Sequence, residues 1–166
     1  MTIQVDSREK SRAIQKILGT FNEQNIQYFV SKLPVGDYSS LDNPRLAIDR
    51  KQNLFELCSN VCQQHARFRA ELERAQQYGI KLVILCEHGG KIKSLDDVLN
   101  WENPRLKQSP LAVSGERLYK ILSVMSKKYG VDIYFCNKKD TGRKIIELLG
   151  GEKIGQANSG SGGATS

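Results

Sequence analysis

Apolar and polar residues in the first half of the chain follow strand and helix spacings in turn. Thr2–Asp6 predicts a strand that ends in a carboxylate, and apolar residues at i, i+3, i+4 and i+7 predict an amphipathic helix from about Lys10 to Gln24. Ile26–Val30 predicts a second strand. Two further segments, on either side of a turn at Asp42-Asn43-Pro44, predict a β-hairpin: Asp37–Leu41 and Arg45–Lys51.

The second half of the chain favours longer elements. One helical pattern runs from Leu54 to Tyr78 and stops at Gly79, and the most apolar segment, Lys81–Glu87, predicts a central strand. The remaining segments predict a short helix from Ser94 to Trp101, a loop over Glu102–Val113, a helix from Ser114 to Tyr129, a strand over Val131–Cys136 and a helix from Asp140 to Gly150. Alternating strands and helices with one hairpin predict an α/β fold around a mixed, partly parallel sheet.

Length and composition narrow the class of protein. The chain has 166 residues, of which 39% are hydrophobic and 26% charged, which predicts one folded domain rather than a disordered tail. No apolar run approaches the ~20 residues of a membrane span, and the first residues lack the apolar core of a signal peptide, so we expect a cytoplasmic protein that does not associate with membranes. We expect the domain to cover residues 1–150 and a flexible Gly/Ser-rich tail to cover residues 151–166.

The formal net charge of +7 is unevenly distributed. Residues 1–60 carry eight basic and seven acidic side chains, whereas residues 101–166 carry eleven and six. The basic excess in the last third is either a solvated surface or a patch that contacts phosphates and adds salt-dependent affinity for nucleic acid. The sequence leaves both interpretations open.

Cys58, Cys62 and His65 lie at i, i+4 and i+7 of the predicted long helix, a spacing at which three ligands can share a zinc ion. A small zinc-bound interaction protein is therefore one alternative. Apolar residues on the same face favour the other interpretation, in which the cysteines are small core residues.

Carboxylates recur at the ends of the predicted strands. In Arg45–Lys51 the alternation of side chains places Asp49 and Lys51 on one face, and Asp37 begins the preceding strand where it can reach that face. Asp6 and Glu9 follow the first strand. Converging carboxylates are suitable ligands for Mg²⁺, and a nearby lysine completes a set that can hydrolyse a phosphodiester. A solvated strand with a local Asp–Lys pair is the alternative.

Three strings in order give this arrangement a more specific meaning: Val5-Asp6-Ser7-Arg8-Glu9, Gly36-Asp37-Tyr38 and Ile48-Asp49-Arg50-Lys51. Together they resemble the XPF-type nuclease domain, a branch of the PD-(D/E)xK restriction-endonuclease-like superfamily, and look most like its compact stand-alone versions in bacteria and phages. The resemblance extends over residues 1–150. It implies a restriction-endonuclease-like fold, with a mixed central β-sheet flanked by helices on both faces.

The resemblance also implies roles for the acidic residues. Asp37 and Asp49 would ligate Mg²⁺, for which Mn²⁺ can substitute, together with the backbone carbonyl of Arg50. Lys51 would activate or position the attacking water. Asp6 and Glu9 would complete the acidic cluster, with Glu9 also reaching the metal through a bound water.

Basic residues near these strings are candidates for contacting DNA. The resemblance implies that Arg8 and Arg50 either contact phosphate or hold the carboxylates in place. Arg67 and Arg69, farther along the predicted long helix, are further DNA-binding candidates, with solvated helix arginines as the alternative.

The sequence departs from the family pattern at two positions. Asp49 stands where the family usually has Glu, which shortens the side chain but keeps its charge. Phe55 occupies the position of a later family Asp, and the adjacent Glu56 is the candidate replacement, although one residue rotates a helix by about 100°.

These observations predict a metal-dependent DNA endonuclease that acts on branched, flap-like or partly single-stranded DNA in repair or recombination, in a bacterial or phage-infected cell. The sequence leaves the oligomeric state open; Ser114–Tyr129 and Asp140–Leu149 are candidate faces for a homodimer or heterodimer through the nuclease domain. The alternative is a catalytically inactive DNA-binding subunit or recombination accessory module of the same fold.

Overall fold

Within the described residues, 1–150 of a computed structural model, six strands form one mixed sheet. The predicted tail, residues 151–166, lies outside the described residues. The strands are β1 (Thr2–Val5), β2 (Gln27–Val30), β3 (Tyr38–Ser40), β4 (Asn43–Lys51), β5 (Lys81–Glu87) and β6 (Asp132–Cys136), and their order across the sheet is β2-β1-β3-β4-β5-β6.

The directions of the strands agree with the mixed sheet predicted from the sequence. β3 runs antiparallel to both β1 and β4, so the predicted hairpin is confirmed, and the remaining pairs are parallel. β5 lies between β4 and β6, and six of its seven residues are buried. This position explains its continuous apolar sequence, because helices cover both faces of the strand.

Five α-helices lie on the two faces of the sheet: α1 (Gln15–Glu23), α2 (Leu54–Cys62), α3 (His65–Gln77), α4 (Gly115–Tyr129) and α5 (Thr141–Leu149). Helices α2, α3 and α4 pack on one face, against Ala47, Leu82 and Ile84. Helices α1 and α5 pack on the other, against Ile3 and Ile48. The structure therefore confirms an α/β fold with helices on both faces of a mixed sheet.

The long helix predicted from Leu54 to Tyr78 is wrong as a single element. It breaks into α2 and α3 at Gln63 and Gln64, where the amide of Gln64 bonds to the carbonyl of Ser59, five residues back. No glycine or proline marks the break. Both helices bury an apolar face in the same layer, so the helical spacing of apolar residues continues across the break.

Two shorter segments also differ from the prediction. The first helix begins at Gln15 rather than near Lys10, because the preceding residues form turns before the buried Ile14. Arg8 and Glu9 therefore lie outside the helix. The predicted loop after Glu102 contains a short 3-10 helix, Pro104–Lys107, which Asn103 caps through a hydrogen bond to the amide of Arg105.

None of the described helices combines the length and the apolar character needed to cross a membrane.

Candidate active site

The acidic residues meet where β1 and β4 end and β3 begins. Tyr38 pairs with Val5 on one side and with Ile48 on the other. This register brings Asp37 beside the residues that follow Val5 and Ile48 in sequence, namely Asp6 and Asp49. The structure therefore brings together carboxylates that lie up to 43 positions apart in the chain.

These side chains open into a cavity of about 330 Å³. Its lining consists of Asp6, Arg8, Glu9, Gly36, Asp37, Asp49, Arg50, Lys51, Glu56, Arg67, Glu71 and Arg74. All but Gly36 are charged, and they come from the segment after β1, the turn before β3, strand β4, and helices α2 and α3. The alternative of a solvated strand face is wrong, because Asp49 and Lys51 are only 4% and 8% exposed.

Gly36 is required by the backbone at the start of β3. Its φ of +73° lies in the left-handed region, and a Cβ there would meet the carbonyl oxygen of Ile48 at 3.0 Å. The close approach allows the amide of Asp37 to donate to that carbonyl at 2.7 Å. The Gly-Asp pair thus fixes Asp37 directly beside β4.

Asp37 and Asp49 form the centre of the cavity, and the pKa of each carboxyl lies above its usual range. Burial is the largest cause for Asp37, and the charges of Asp49 and Glu9 add to it. The amide of Arg50 donates to Asp37 Oδ2 at 2.7 Å. Burial raises the pKa of Asp49 to about 6, although the charge of Lys51 opposes the shift.

One oxygen of Asp49 is left without a hydrogen bond. Asp49 Oδ2 is buried, accepts no hydrogen bond from the described residues, and has Lys51 Nζ at 3.1 Å as an ion-pair neighbour. Buried carboxylate oxygens normally accept hydrogen bonds, so this atom can accept an ion or water in addition to the neighbouring ammonium. Together with Asp37 it offers hard oxygen ligands of the kind that Mg²⁺ prefers.

Lys51 keeps its proton at neutral pH in this cavity. Burial lowers the pKa of its amine, but the charges of Asp49, Asp37 and Glu56 outweigh burial and raise the pKa above the usual value. The amine also lies 5.2 Å from the centre of the Phe68 ring. The side chain therefore places a fixed positive charge beside Asp49.

Glu9 is held by a buried network around Arg50. The hydroxyl of Tyr38 donates a hydrogen bond to Glu9 Oε2 at 2.7 Å, and Arg50 Nε donates to the same oxygen at 2.9 Å. On its other side, Arg50 donates to Glu87 Oε1 at 2.8 Å. Since the Arg50 side chain is 5% exposed, the geometry favours the second of its two predicted roles, holding carboxylates in place.

Asp6 and Arg8 form a pair at the edge of the cavity. Asp6 Oδ1 accepts from the amide of Leu33 at 2.8 Å, and Asp6 Oδ2 accepts from Arg8 Nε at 2.7 Å. Asp6 is buried, whereas the side chain of Arg8 is 56% exposed. Asp6 thus anchors the loop before β3, and Arg8 extends towards solvent.

The remaining predicted residues divide between the cavity and a different surface. Glu56 lines the cavity but accepts from the amide of Gln52 at 2.7 Å, as a residue in the first turn of α2. Arg67 also lines the cavity. Arg69 does not, because it lies in a groove between α3 and α4 and pairs with Glu73 at 3.3 Å.

The sequence assigns no role to four residues of this region: Tyr38 and Glu87 in the buried network, and Glu71 and Arg74 in the lining. Glu71 Oε1 accepts from the amide of Gly36 at 3.1 Å, and its charge adds to the raised pKa of Asp49. The spacing Arg67, Glu71 and Arg74 at i, i+4 and i+7 was the available signal. It places the three on one helix face.

The structure gives no support to a zinc site. Within residues 1–150, no three His, Cys, Asp or Glu side chains are arranged to enclose a metal ion. Cys58 belongs to the apolar core, and burial beside Cys62 raises the pKa of its thiol to about 12. The same finding limits the acidic cavity to fewer than three carboxylates in direct coordinating positions.

Comparisons with known proteins agree with the fold. The family model described as the ERCC4 domain matches residues 5–148. No curated protein matches.

Two similar solved structures are XPF from Aeropyrum pernix and the same protein in complex with DNA. The first has a TM-score of 0.64 and 18% identity over 96% of this chain and 69% of that chain. The second has the same score and identity over 92% and 65%. At this identity the likeness shows the fold.

Proposed function

The chain belongs to the ERCC4 domain family, and from that premise we propose that it is a metal-dependent DNA endonuclease that hydrolyses phosphodiester bonds. The observation that carries the proposal is the buried constellation of Asp37, Asp49 and Lys51 in one open cavity. Burial of carboxylates with raised pKa values costs stability, and perturbed groups of this kind are typical of functional sites. The fold alone does not imply an activity.

The donors in the cavity fit Mg²⁺, and Mn²⁺ prefers similar ligands. Asp37 and Asp49 would hold the ion with the backbone carbonyl of Arg50, and Glu9 would reach it through a bound water. The unsatisfied Asp49 Oδ2 supports this fit. When bound, the ion supplies polarisation of a phosphate oxygen and a more acidic water.

The chain's own residues would position the reactants. Lys51 holds its positive charge beside Asp49, where it orients the attacking water and stabilises negative charge on the phosphate as the bond breaks. The buried network around Arg50 keeps Glu9 in one orientation, available as a hydrogen-bond acceptor for water. Fixed donors and acceptors of this kind cost no reorganisation during the reaction.

Arginines at the edge of the cavity would bind the DNA backbone. Arg8, Arg67 and Arg74 line the cavity and are exposed. Arg67 and Arg74 would contact phosphates on either side of the scissile bond. The guanidinium of Arg8 donates to Asp6 and to the carbonyl of Leu33, so Arg8 would add its charge from a fixed position. Arg69 remains a predicted DNA contact on the neighbouring groove. The expected substrate is branched, flap-like or partly single-stranded DNA in repair or recombination.

Dimerisation also remains a proposal. The candidate faces are Ser114–Tyr129, which forms α4 with its cap, and Asp140–Leu149, which forms α5 with its cap. On α4 the side chain of Val124 is 65% exposed. A second copy of the chain, or an inactive relative, would cover such a surface.

A cleavage assay on duplex, fork, flap and junction DNA, with Mg²⁺, Mn²⁺ or EDTA, tests the function. We expect metal-dependent cleavage that Asp49→Asn abolishes while the circular dichroism spectrum is retained. Equal cleavage by the variant would contradict the assigned site. Tight binding of forked DNA without turnover in either metal would instead favour the inactive DNA-binding module.

A further inference from the structure

Glu71 is a further carboxylate at the proposed metal site, beyond Asp37, Asp49 and Glu9, and it is contributed by a helix that the family strings do not include. It lies on α3, in the wall of the cavity that also contains Asp37 and Asp49. The sequence separates it by 20 positions from Lys51, the last residue of those strings. The fold alone brings it to the site.

A backbone hydrogen bond fixes the position of this carboxylate. Oε1 of Glu71 accepts from the amide of Gly36 at 3.1 Å, immediately before Asp37. This bond occupies one of the two carboxylate oxygens. Because Gly36 itself is held against β4, the Glu71 carboxylate is fixed relative to both Asp37 and Asp49.

A second, independent observation points to a cation in the same cavity. Asp49 is 4% exposed, its Oδ2 accepts no hydrogen bond from the described residues, and Lys51 Nζ lies 3.1 Å from that oxygen as an ion-pair neighbour. One ammonium does not neutralise the carboxylates of both Asp37 and Asp49, so a further cation with its waters would offset the remaining buried charge. The cavity volume of about 330 Å³ leaves room for an ion with part of its hydration shell.

The arrangement also limits how Glu71 can act. Within residues 1–150, no three carboxylates are positioned to coordinate one ion directly. Mg²⁺ usually retains several waters and takes only one or two protein carboxylates. An outer carboxylate that accepts hydrogen bonds from those waters is therefore the role that agrees with the geometry.

We propose that Glu71 binds the water shell of the metal ion held by Asp37 and Asp49, and thereby strengthens metal binding at this site. This inference rests on the proposed metal dependence of the cavity. Outer carboxylates of this kind orient the bound water and add negative charge where the cation lies.

Calorimetric titration with MgCl₂, and separately with MnCl₂, tests this role in the absence of DNA. Glu71→Gln retains an oxygen that can accept from Gly36 but removes the charge, and we expect it to weaken metal binding by about tenfold. Glu73→Gln is the matched control, since Glu73 lies on the same helix, is 58% exposed and pairs with Arg69 away from the cavity.

The outcomes separate this inference from the function on which it rests. Weaker metal binding by Glu71→Gln, with the melting temperature of the metal-free protein unchanged, supports the proposal. Equal affinities for wild type, Glu71→Gln and Glu73→Gln would overturn it and leave the proposed function intact. A wild-type protein that binds neither metal would overturn both.

Discussion

The charged residues of the acidic cavity and those of the last third of the chain differ in burial and in the contacts that they make. In the cavity, Asp49, Arg50 and Lys51 are buried; Lys51 pairs with Asp49 at 3.1 Å, and Arg50 pairs with Glu9 at 2.9 Å. In the last third, Lys127 and Lys128 at the end of α4 are exposed to solvent. The net charge counts both groups equally, although only the first is organised by the fold.

This difference determines how much the loss of a single charged residue costs in each region. An exposed pair such as Lys120–Glu116, at 3.5 Å, contributes about 0–1 kcal/mol, and salt weakens it. Removal of one partner from a buried pair leaves an uncompensated charge and costs about 3–5 kcal/mol. The cavity thus depends on each residue individually, whereas the basic surface depends on the number of its charges.

The largest expected contrast compares two lysines. Lys51→Ala removes a fixed charge beside the position proposed for the reacting phosphate, and we expect cleavage to fall roughly a thousandfold. Lys128→Ala removes an exposed charge that lies 5.4 Å from the Tyr129 ring, and we expect a change of about twofold or less. Single-turnover cleavage rates measure both. Similar losses for the two variants would remove the distinction between the regions.

A second contrast compares two glutamates. Glu87→Gln weakens the buried hydrogen bond that Arg50 donates at 2.8 Å, so we expect a stability loss of about 1–3 kcal/mol. Arg50 also orients Glu9, so cleavage should fall by about tenfold. Glu147→Gln on the surface is the control, with an expected change below about 0.5 kcal/mol. Urea unfolding that gives equal stabilities for the two variants would contradict this view.

The pH dependence of stability provides a third contrast. The pKa of Asp49 is about 6 in the folded protein and 3.8 in its unperturbed state, so the folded state binds a proton more tightly. The contribution of this difference to the free energy of unfolding is fully present below pH 4 and is lost as the pH rises through about 6. We expect the metal-free protein to lose roughly 1–3 kcal/mol between pH 5 and pH 8.

Urea unfolding of the metal-free protein at several pH values measures this loss. Asp49→Asn cannot ionise at that position and should flatten the profile. Addition of Mg²⁺ should restore, in the wild-type protein at pH 8, the stability that the metal-free protein loses. A wild-type profile with the same slope as the variant would contradict the assigned pKa shift.

The smallest expected effect concerns the basic surface. Replacement of Lys127, Lys128, Lys138 and Lys139 by Gln should weaken DNA binding a few-fold and lower the slope of log affinity against log salt, by about one for each phosphate that the protein no longer neutralises. The rate of cleavage at saturating DNA should remain unchanged. Fluorescence anisotropy at several salt concentrations measures the slope. An unchanged slope would assign this surface to solvation alone.

The sequence predicted the parts of the site that short strings define. Asp37 directly precedes β3, and Asp49 and Lys51 lie on its partner strand β4, so alternation and the hairpin are sufficient to bring the three side chains together. Glu71 lies on α3 and Glu87 lies on β5, and both elements are distant from these strings in the sequence. The fold brings Glu71 to Gly36 and Glu87 to Arg50. Their contacts depend on the orientation of α3 and on the parallel register of β5, which local patterns do not contain.

The elements themselves show the same division. The central strand Lys81–Glu87 and the cap at Ser114 were predicted correctly, because an apolar run and a capping side chain act locally. The break between α2 and α3 was missed, since the apolar period continues across Gln63. The break matters for the site because α3 begins there and carries Glu71 into the cavity.

The central claim is that the buried carboxylates, rather than the basic surface, form the centre that acts on DNA by holding a metal ion. The most direct measurement is the paramagnetic broadening of backbone amide signals in a ¹⁵N-labelled protein titrated with Mn²⁺. The account predicts that the signals of Asp37, Asp49 and Arg50 broaden first, that those of Lys127 and Lys128 persist, and that Asp49→Asn abolishes the effect. Broadening centred elsewhere, or broadening that survives the substitution, would contradict the account.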